Sequence, residues 1–191
     1  LTSSTAQAAA LWLYEQGTAD VATANAGLAA RASDAATASV NPAGMTRLKA
    51  SQAMVGIQPI YGDMTFDIDA ASFGGGDGGN GVGWVPSGGL FYVHSISNDL
   101  KLGFSAGSYL GLGIDFNDDW AGRYYATKNE LITAFAQGSA AYRVNDWLSV
   151  GAGAAFVYGE LEYEAAVNNL LDALPDGRLE FDDTDTTGAV M

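Results

Sequence analysis

Between residues 100 and 116, apolar side chains alternate with small or polar ones. Leu100, Leu102, Phe104, Ala106, Leu110, Leu112, Ile114 and Phe116 share the even positions, with Ser108 as the one interruption. Lys101, Gly103, Ser105, Gly107, Tyr109, Gly111, Gly113 and Asp115 take the odd ones. Successive side chains of a strand point to opposite faces, so this stretch predicts a two-faced strand long enough to cross a bilayer. Residues 147–163 repeat the design. Leu148, Val150, Ala152, Ala154, Phe156 and Tyr158 face one way; Trp147, Ser149, Gly151, Gly153, Ala155 and Gly159 face the other. The apolar row then runs into Glu160, Glu162 and Glu164. A charge is costly against hydrocarbon, so the row is expected to leave the membrane there, with Tyr158 at the interface.

Residues 47–68, 83–96 and 123–143 are three further strand candidates. Pro59 and Pro86 mark bulges or strand entry within them, because proline cannot donate to a ladder. The connections alternate in length. Residues 97–99 and 144–146 are tight turns, residues 117–122 an intermediate link, and residues 62–81 and 164–191 long Gly-rich or acidic segments. Short turns at one end and long loops at the other are the plan of an up-and-down outer-membrane barrel. Residues 9–46 differ: they are Ala-rich without a clean period and close at the turn Asn41-Pro42-Ala43-Gly44.

Composition supports a membrane setting. Hydrophobic residues make up 48% of the chain and charged ones only 16%, against roughly a quarter charged in a soluble domain. No run approaches the ~20 apolar residues of a membrane helix, so any crossing is by strands. Five strands leave open edges, which lipid does not tolerate, so the stretch is expected to be part of a larger barrel. The Ala6-Gln7-Ala8 pattern looks like a signal-peptidase site, making residues 1–8 a residual signal-peptide tail.

The formal net charge of -14 argues against nucleic acid, which is bound by neutralising phosphates. Cysteine is absent, which removes thiolate metal sites and disulfides. His94 is the single histidine, leaving little for a metal cluster or a histidine relay. Asp115, Asp118 and Asp119 lack the spacing of a calcium loop. Residues 74–79 are Gly-rich without a following Lys-Ser/Thr, so they read as a mobile loop tip rather than a phosphate loop. No catalytic residue, metal or cofactor is expected.

Several stretches, in order, resemble the long-chain fatty-acid transporter (FadL) family, which includes aromatic-hydrocarbon-uptake proteins. They are residues 9–15 (AALWLYE), residues 34–44 (DAATASVNPAG), Trp84-Val85-Pro86, residues 116–122 (FNDDWAG) and residues 141–145 (AYRVN). The resemblance implies a fourteen-stranded transmembrane antiparallel β-barrel, all-β, whose lumen is filled by an N-terminal hatch. On that scheme residues 9–46 are the hatch, 47–163 the first five strands, and 164–191 the start of a long external loop. It also implies passive transport of long-chain fatty acids or other hydrophobic compounds, through an internal pocket and a lateral opening at a kink in the third strand.

Carried onto this sequence, the resemblance places the kink at Gly107, Ser108, Tyr109 and Gly111. Leu11, Leu13, Asn41, Pro42 and Ala43 become hatch residues near the ligand. Val167, Leu170, Leu171 and Leu174 share one face at helical spacing, predicting a short helix whose apolar lip captures ligand outside. The fatty-acid transporter itself has a basic residue just after the fifth strand. Here that position is Ala165, among Glu160, Glu162 and Glu164, with no Lys or Arg near it in sequence. A neutral or apolar ligand is therefore expected, because a buried carboxylate wants a partner. The expected partners are a hydrophobic small molecule (fatty acid or hydrocarbon) and outer-membrane lipid and lipopolysaccharide, with the complete barrel a monomer. A structural or adhesive barrel with a sealed lumen is the rival reading; a membrane-embedded hydrolase is a third, disfavoured by the single histidine.

Overall fold

The computed structural model describes residues 16, 18–69, 74–108, 111–169 and 175–191. They form one antiparallel sheet with a small, mostly helical segment packed against its inner face. The strands are β1 (Gln52–Gly62), β2 (Gly83–Ser95), β3 (Leu100–Gly107), β4 (Gly111–Asp115), β5 (Lys128–Arg143), β6 (Ser149–Val167) and β7 (Gly177–Val190). Their order is β1-β2-β3-β5-β6-β7, with β4 paired to β5 alone. The meander follows from the tight turns, since each short link forces the next strand to lie antiparallel beside the last.

The two faces of the sheet are inverted relative to a soluble sandwich. Outward-pointing Val55, Ile57, Leu90, Tyr92, Leu102, Phe104, Val150 and Phe156 are all exposed. Inward-pointing Phe91, Val93, Lys101, Ser105, Phe135 and Gln137 are buried. An apolar belt outside and a mixed lining inside is the pattern of a strand wall solvated by lipid. No helix among the described residues is long and apolar enough to cross a membrane.

The inner segment consists of short elements: a 3-10 turn (Ala19–Thr23), α1 (Leu28–Arg31), α2 (Thr37–Val40) and a second 3-10 turn (Pro42–Arg47). Ala35, Ala36, Ala38, Met45 and Leu48 pack with Phe91, Val93 and Ala141 of the wall into the main buried cluster. Small side chains let backbone approach backbone here. A methyl group built on Gly103 would lie 2.6 Å from Met45 Sδ and 2.8 Å from Ala38 Cβ.

Two boundaries differ from the sequence expectation. Residues 177–190, expected as external loop, are strand β7, paired with β6 from Val167↔Gly177 to Ala154↔Val190. All of β7 is exposed and its acids show no alternation, so polarity alone mimics a loop. The cross-strand neighbours Glu162↔Asp182 and Glu164↔Glu180 would repel each other. Cations are interleaved among them: Lys128 Nζ lies 2.6 Å from Glu162 and 3.4 Å from Glu130, and Arg178 pairs with Glu164. Val167, expected to open a helix, is instead the last residue of β6. The rest of that apolar row, Leu170, Leu171 and Leu174, lies outside the described residues.

Candidate functional site

The third strand is broken, and the break has a defined register. Gly107 lies opposite Phe135, and Gly111 lies opposite Ile132. Three residues of the chain separate Gly107 from Gly111, against two, Thr133 and Ala134, between their partners on β5. One extra residue is a β-bulge, and because side chains alternate with period two it exchanges the faces beyond it. The even row that points outward at Leu102 and Phe104 turns inward. Ile114 sits opposite Asn129, on the same side as Thr133 and Phe135, and Phe116 is 3% exposed. This corrects the expectation of a single lipid-facing row from Leu100 to Phe116.

The bulge also breaks the pairing with β2. The β2–β3 ladder covers Gly89–Ser95, whereas the β1–β2 ladder continues to Gly62↔Gly83. Beside the outer half of β2 a cavity of about 360 Å³ opens, lined by Trp84, Pro86, Ser108, Gly111, Ile114 and Ala134, among others. The break is held, not loose: Ser108 Oγ donates to the Thr133 carbonyl at 2.6 Å. From the inner segment, Gln16 Nε2 donates to the Ser108 carbonyl at 3.2 Å. Gly107 is close to Gly88 O and Phe135 (3.1 and 3.2 Å from a built methyl), so its lack of a side chain serves wall contacts rather than the hatch. Tyr109 lies outside the described residues.

The turn Asn41-Pro42-Ala43 packs directly on the wall. A methyl group on Gly151 of β6 would lie 2.8 Å from the Pro42 carbonyl carbon and 2.9 Å from Ala43 Cα. Asn41 ties the segment together: its backbone N–H donates to Thr37 O, and its Nδ2 donates to Ala29 O at 2.6 Å. Thr46 then anchors it, with its hydroxyl 2.8 Å from Ser149 Oγ and its carbonyl accepting from Arg143. Leu11 and Leu13 lie outside the described residues.

Between this segment and β5–β7 lies a cavity of about 620 Å³. Gln16, Asn25, Leu28, Ala36, Ser39 and Val40 line one side, and Thr133, Gln137, Ala155, Val157, Ala189 and Met191 the other. Among the described residues, no ionisable side chain belongs to the lining. Its size is that of a small-molecule pocket, mostly apolar with a few placed polar groups.

The long loop after β1 and the link after β4 form a joined cap. Gly76 N–H donates to Asp119 O at 2.7 Å and Ala121 N–H to Gly76 O at 2.9 Å. Phe116 stacks on Trp120 with centroids 4.2 Å apart, and Phe66 adds its edge to Phe116. Gly78, at φ 82, makes room: a side chain would strike Trp120 and Phe116. Residues 74–79 are thus docked, against the expectation of a mobile tip, because glycine admits the close approach. A second joint links Arg123, Tyr124 and Asp176. The Tyr124 hydroxyl donates to Asp176 at 2.6 Å and Arg123 pairs with the same carboxylate at 3.4 Å. The hydrogen bond from Tyr124, then that from the Asn169 N–H, hold the Asp176 carboxyl below its ordinary range. The same bond to Asp176 pushes the Tyr124 hydroxyl above its own.

The family profile described as "Outer membrane protein transport protein (OMPP1/FadL/TodX)" matches residues 1–191. The chain belongs to the FadL family. It is 31% identical over 175 residues to the long-chain fatty acid transport protein of Escherichia coli O6:H1, covering 89% of this chain and 38% of that one. It is 27% identical over 194 residues to outer membrane protein P1 of Haemophilus influenzae Rd, covering 92% and 41%. A crystal structure of a Pseudomonas aeruginosa FadL homologue superposes with a TM-score of 0.70 at 21% identity, over 94% of this chain and 48% of that one. The chain thus spans about two fifths of its curated relatives, and it forms the hatch and first strands of a bacterial outer-membrane β-barrel.

Against the FadL pattern, Ala165 is 4% exposed and sits opposite Leu179. The fold does bring cations to it, which sequence proximity did not show. Arg123 and Arg178 line a cavity of about 240 Å³ with Ala165, Asp118 and Asp176. Both are engaged, Arg123 with Asp176 and Arg178 with Glu164. Of the FadL-type hatch and kink residues, the structure places Asn41, Pro42 and Ala43 on the wall and Gly107, Ser108 and Gly111 at the break. Gln16, Asn25, Thr133 and Gln137 escaped the sequence reading. Gln137 had a signal: it is the longest polar side chain in the inward row Thr133, Phe135, Gln137, Ser139, Ala141. His94 points outward, exposed, 3.1 Å from the Tyr92 hydroxyl.

Proposed function

We propose that the complete protein carries small neutral hydrophobic molecules across the outer membrane without an energy source. The observation that carries this reading is the apolar cavity of about 620 Å³ between hatch and wall, lined by no ionisable side chain among the described residues and reached by Gln16, which also touches the break in the third strand. The names of the Escherichia coli relatives, long-chain fatty acid transport proteins, support the substrate class. A ligand is caught among the external loops at Val167, Leu170, Leu171 and Leu174, and then enters the cavity. Movement of the hatch, with Leu11, Leu13 and the Asn41-Pro42-Ala43 turn, frees it toward the gap at Gly107, Ser108, Tyr109 and Gly111. Apolar transfer of this kind needs no chemistry, because the free energy of leaving water holds the ligand and mass action moves it.

The test is uptake of a labelled alkane and a labelled fatty-acid methyl ester into vesicles holding the full-length protein, with and without residues 9–14. The expected result is uptake above empty vesicles that changes on deletion. Uptake equal to that of empty vesicles favours a sealed structural or adhesive barrel. Uptake indifferent to the deletion removes the hatch from the route.

A further inference from the structure

We infer that the periplasmic mouth of the barrel binds a terminal phosphate group between Arg47 of the hatch and Arg143 of the wall, and that this oxyanion ties hatch to wall. The site lies apart from the apolar cavity, and the inference does not depend on the transport reading.

A polar cavity of about 420 Å³ opens beside the tight turn between β5 and β6. Short turns mark the periplasmic end of an outer-membrane barrel. Thr46 and Arg47 line the cavity from the hatch; Arg143, Asn145, Asp146 and Ser149 line it from the wall. Arg47 is exposed and Arg143 half-buried, so neither is sealed away from the cavity it lines. Each guanidinium makes one hydrogen bond. Arg47 Nη1 donates to Ala30 O at 2.9 Å, and Arg143 Nη2 donates to the Thr46 carbonyl. A guanidinium carries five N–H donors, so most of each remain for a ligand. Among the described residues no carboxylate lies within 4.0 Å of either arginine. That is a marked exception in a chain with 22 acidic and 8 basic residues. At the external end Arg123, Lys128 and Arg178 are all ion-paired. Asn145 adds a donor: its Oδ1 accepts from the Trp147 and Leu148 N–H groups at 3.1 and 2.9 Å, which leaves the amide N–H₂ as its unbonded end.

Arg143 reaches the carbonyl of the residue next to Arg47, so two like charges meet across the seam between hatch and wall. Asp146 lines the same cavity and offsets one of them, but it pairs with neither. An anion between the two arginines replaces their repulsion with charge-assisted hydrogen bonds to both. The geometry of the donors favours phosphate. One planar fork already engages both oxygens of a carboxylate, whereas a terminal phosphate presents three strong acceptor oxygens and can serve two forks. The bound group would extend an anchor already present at the seam, where the Thr46 hydroxyl lies 2.8 Å from Ser149 Oγ. Free phosphate and a lipid-borne phosphate monoester share this chemistry.

The experiment titrates the full-length protein, in an uncharged maltoside detergent, with inorganic phosphate, dihexanoyl phosphatidic acid and acetate. Calorimetry reads binding, and amide hydrogen exchange reads the hatch. Four proteins are compared: wild type, Arg47→Gln, Arg143→Gln and Asp146→Asn. Wild type is expected to bind both phosphate probes and to bind acetate at least about tenfold more weakly, the loss of one charged hydrogen bond. Each arginine variant should lose about tenfold in phosphate affinity. Asp146→Asn alters an exposed turn residue, so it should fold normally, and removing its charge should tighten phosphate several-fold. Saturating phosphate should slow exchange at residues 42–48 in wild type and not in either arginine variant. Tighter binding of phosphatidic acid than of inorganic phosphate assigns the site to a lipid headgroup, and the reverse order assigns it to the free ion. No binding of either phosphate probe, acetate bound as tightly as phosphate, affinity unchanged in the arginine variants or in Asp146→Asn, or binding without slower exchange at residues 42–48 overturns the inference.

Discussion

Gln16 and Ser108 are 92 residues apart in sequence, yet the Gln16 side-chain amide donates to the Ser108 carbonyl at 3.2 Å. This is a direct bond from the hatch to the break in the wall, and the same Gln16 lines the main cavity. On the proposed route, a ligand entering that cavity would compete for a residue that holds the break. Replacing Gln16 with Leu removes a hydrogen bond worth about 1 kcal/mol. Hydrogen exchange in full-length protein should rise several-fold around residues 107–111, with β5 and β6 unchanged. Exchange that stays the same there would show that Gln16 does not hold the break.

The bulge makes a sharper demand. Deleting Ser108 leaves two residues between Gly107 and Gly111, matching the two residues 133–134 on β5. The ladder can then run straight from β3 into β4, and the gap beside β2 should close. The expected outcome is a folded barrel whose hydrocarbon uptake falls to the level of empty vesicles. Undiminished uptake would place the exit elsewhere.

Gly151 supports the hatch by having no side chain. Gly151→Ala puts a methyl group within 2.9 Å of the Pro42–Ala43 backbone, which cannot swing aside as a side-chain tip would. Overpacking of this kind costs about 1–3 kcal/mol. Limited proteolysis should cut the hatch faster in the variant. Gly138 is the matched control: it has nothing within 4 Å of a built methyl, so Gly138→Ala should leave the digestion rate unchanged.

The joint of Arg123 and Tyr124 with Asp176 should depend on pH in a defined direction. The Asp176 carboxyl is held below its ordinary value of 3.8. Its contribution is therefore full above 3.8 and is lost as pH falls through the lower, folded value. The Tyr124 hydroxyl is pushed above its ordinary 10.0. Its contribution is full below 10.0 and is lost as pH rises through the higher, folded value. Both partners lie at the exposed end of the protein, so the stabilisation is small and salt-sensitive. Hydrogen exchange at residues 122–126 should be slow across neutral pH and faster at both extremes. Asp176→Asn should flatten the acid limb; an unchanged acid limb in that variant would assign the transition to another group.

Much of the wall was legible in the chain itself. Period-two alternation marked the strands around residues 100–107 and 149–159, because each has one face in lipid and one on the hatch. Gly, Ser and Ala dominated the inner row, since only small side chains leave room for a packed segment. The hatch had no period to read, and its limits came from resemblance. Its short turns are held by contacts such as Thr46 with Ser149 and Arg143, whose partners lie about a hundred residues away.

Local pattern was silent where long-range pairing decides the outcome. Ser108 interrupts the apolar row of the third strand, but the row resumes in phase at Leu110, so nothing local counts an extra residue there; the register against β5 does. That one-residue difference turns Ile114 and Phe116 inward and opens the wall beside Trp84. Polarity likewise hid β7, because beyond the hydrocarbon a strand keeps its ladder without keeping an apolar face. The cavity is the plainest case. Its lining joins Asn25 to Gln137, which are adjacent neither in sequence nor in any repeat. Periodicity along the chain encodes which face of a strand meets lipid, because that choice is made residue by residue. Register, closure and the polarity of an internal cavity depend on which distant segments meet, and folding alone brings those together.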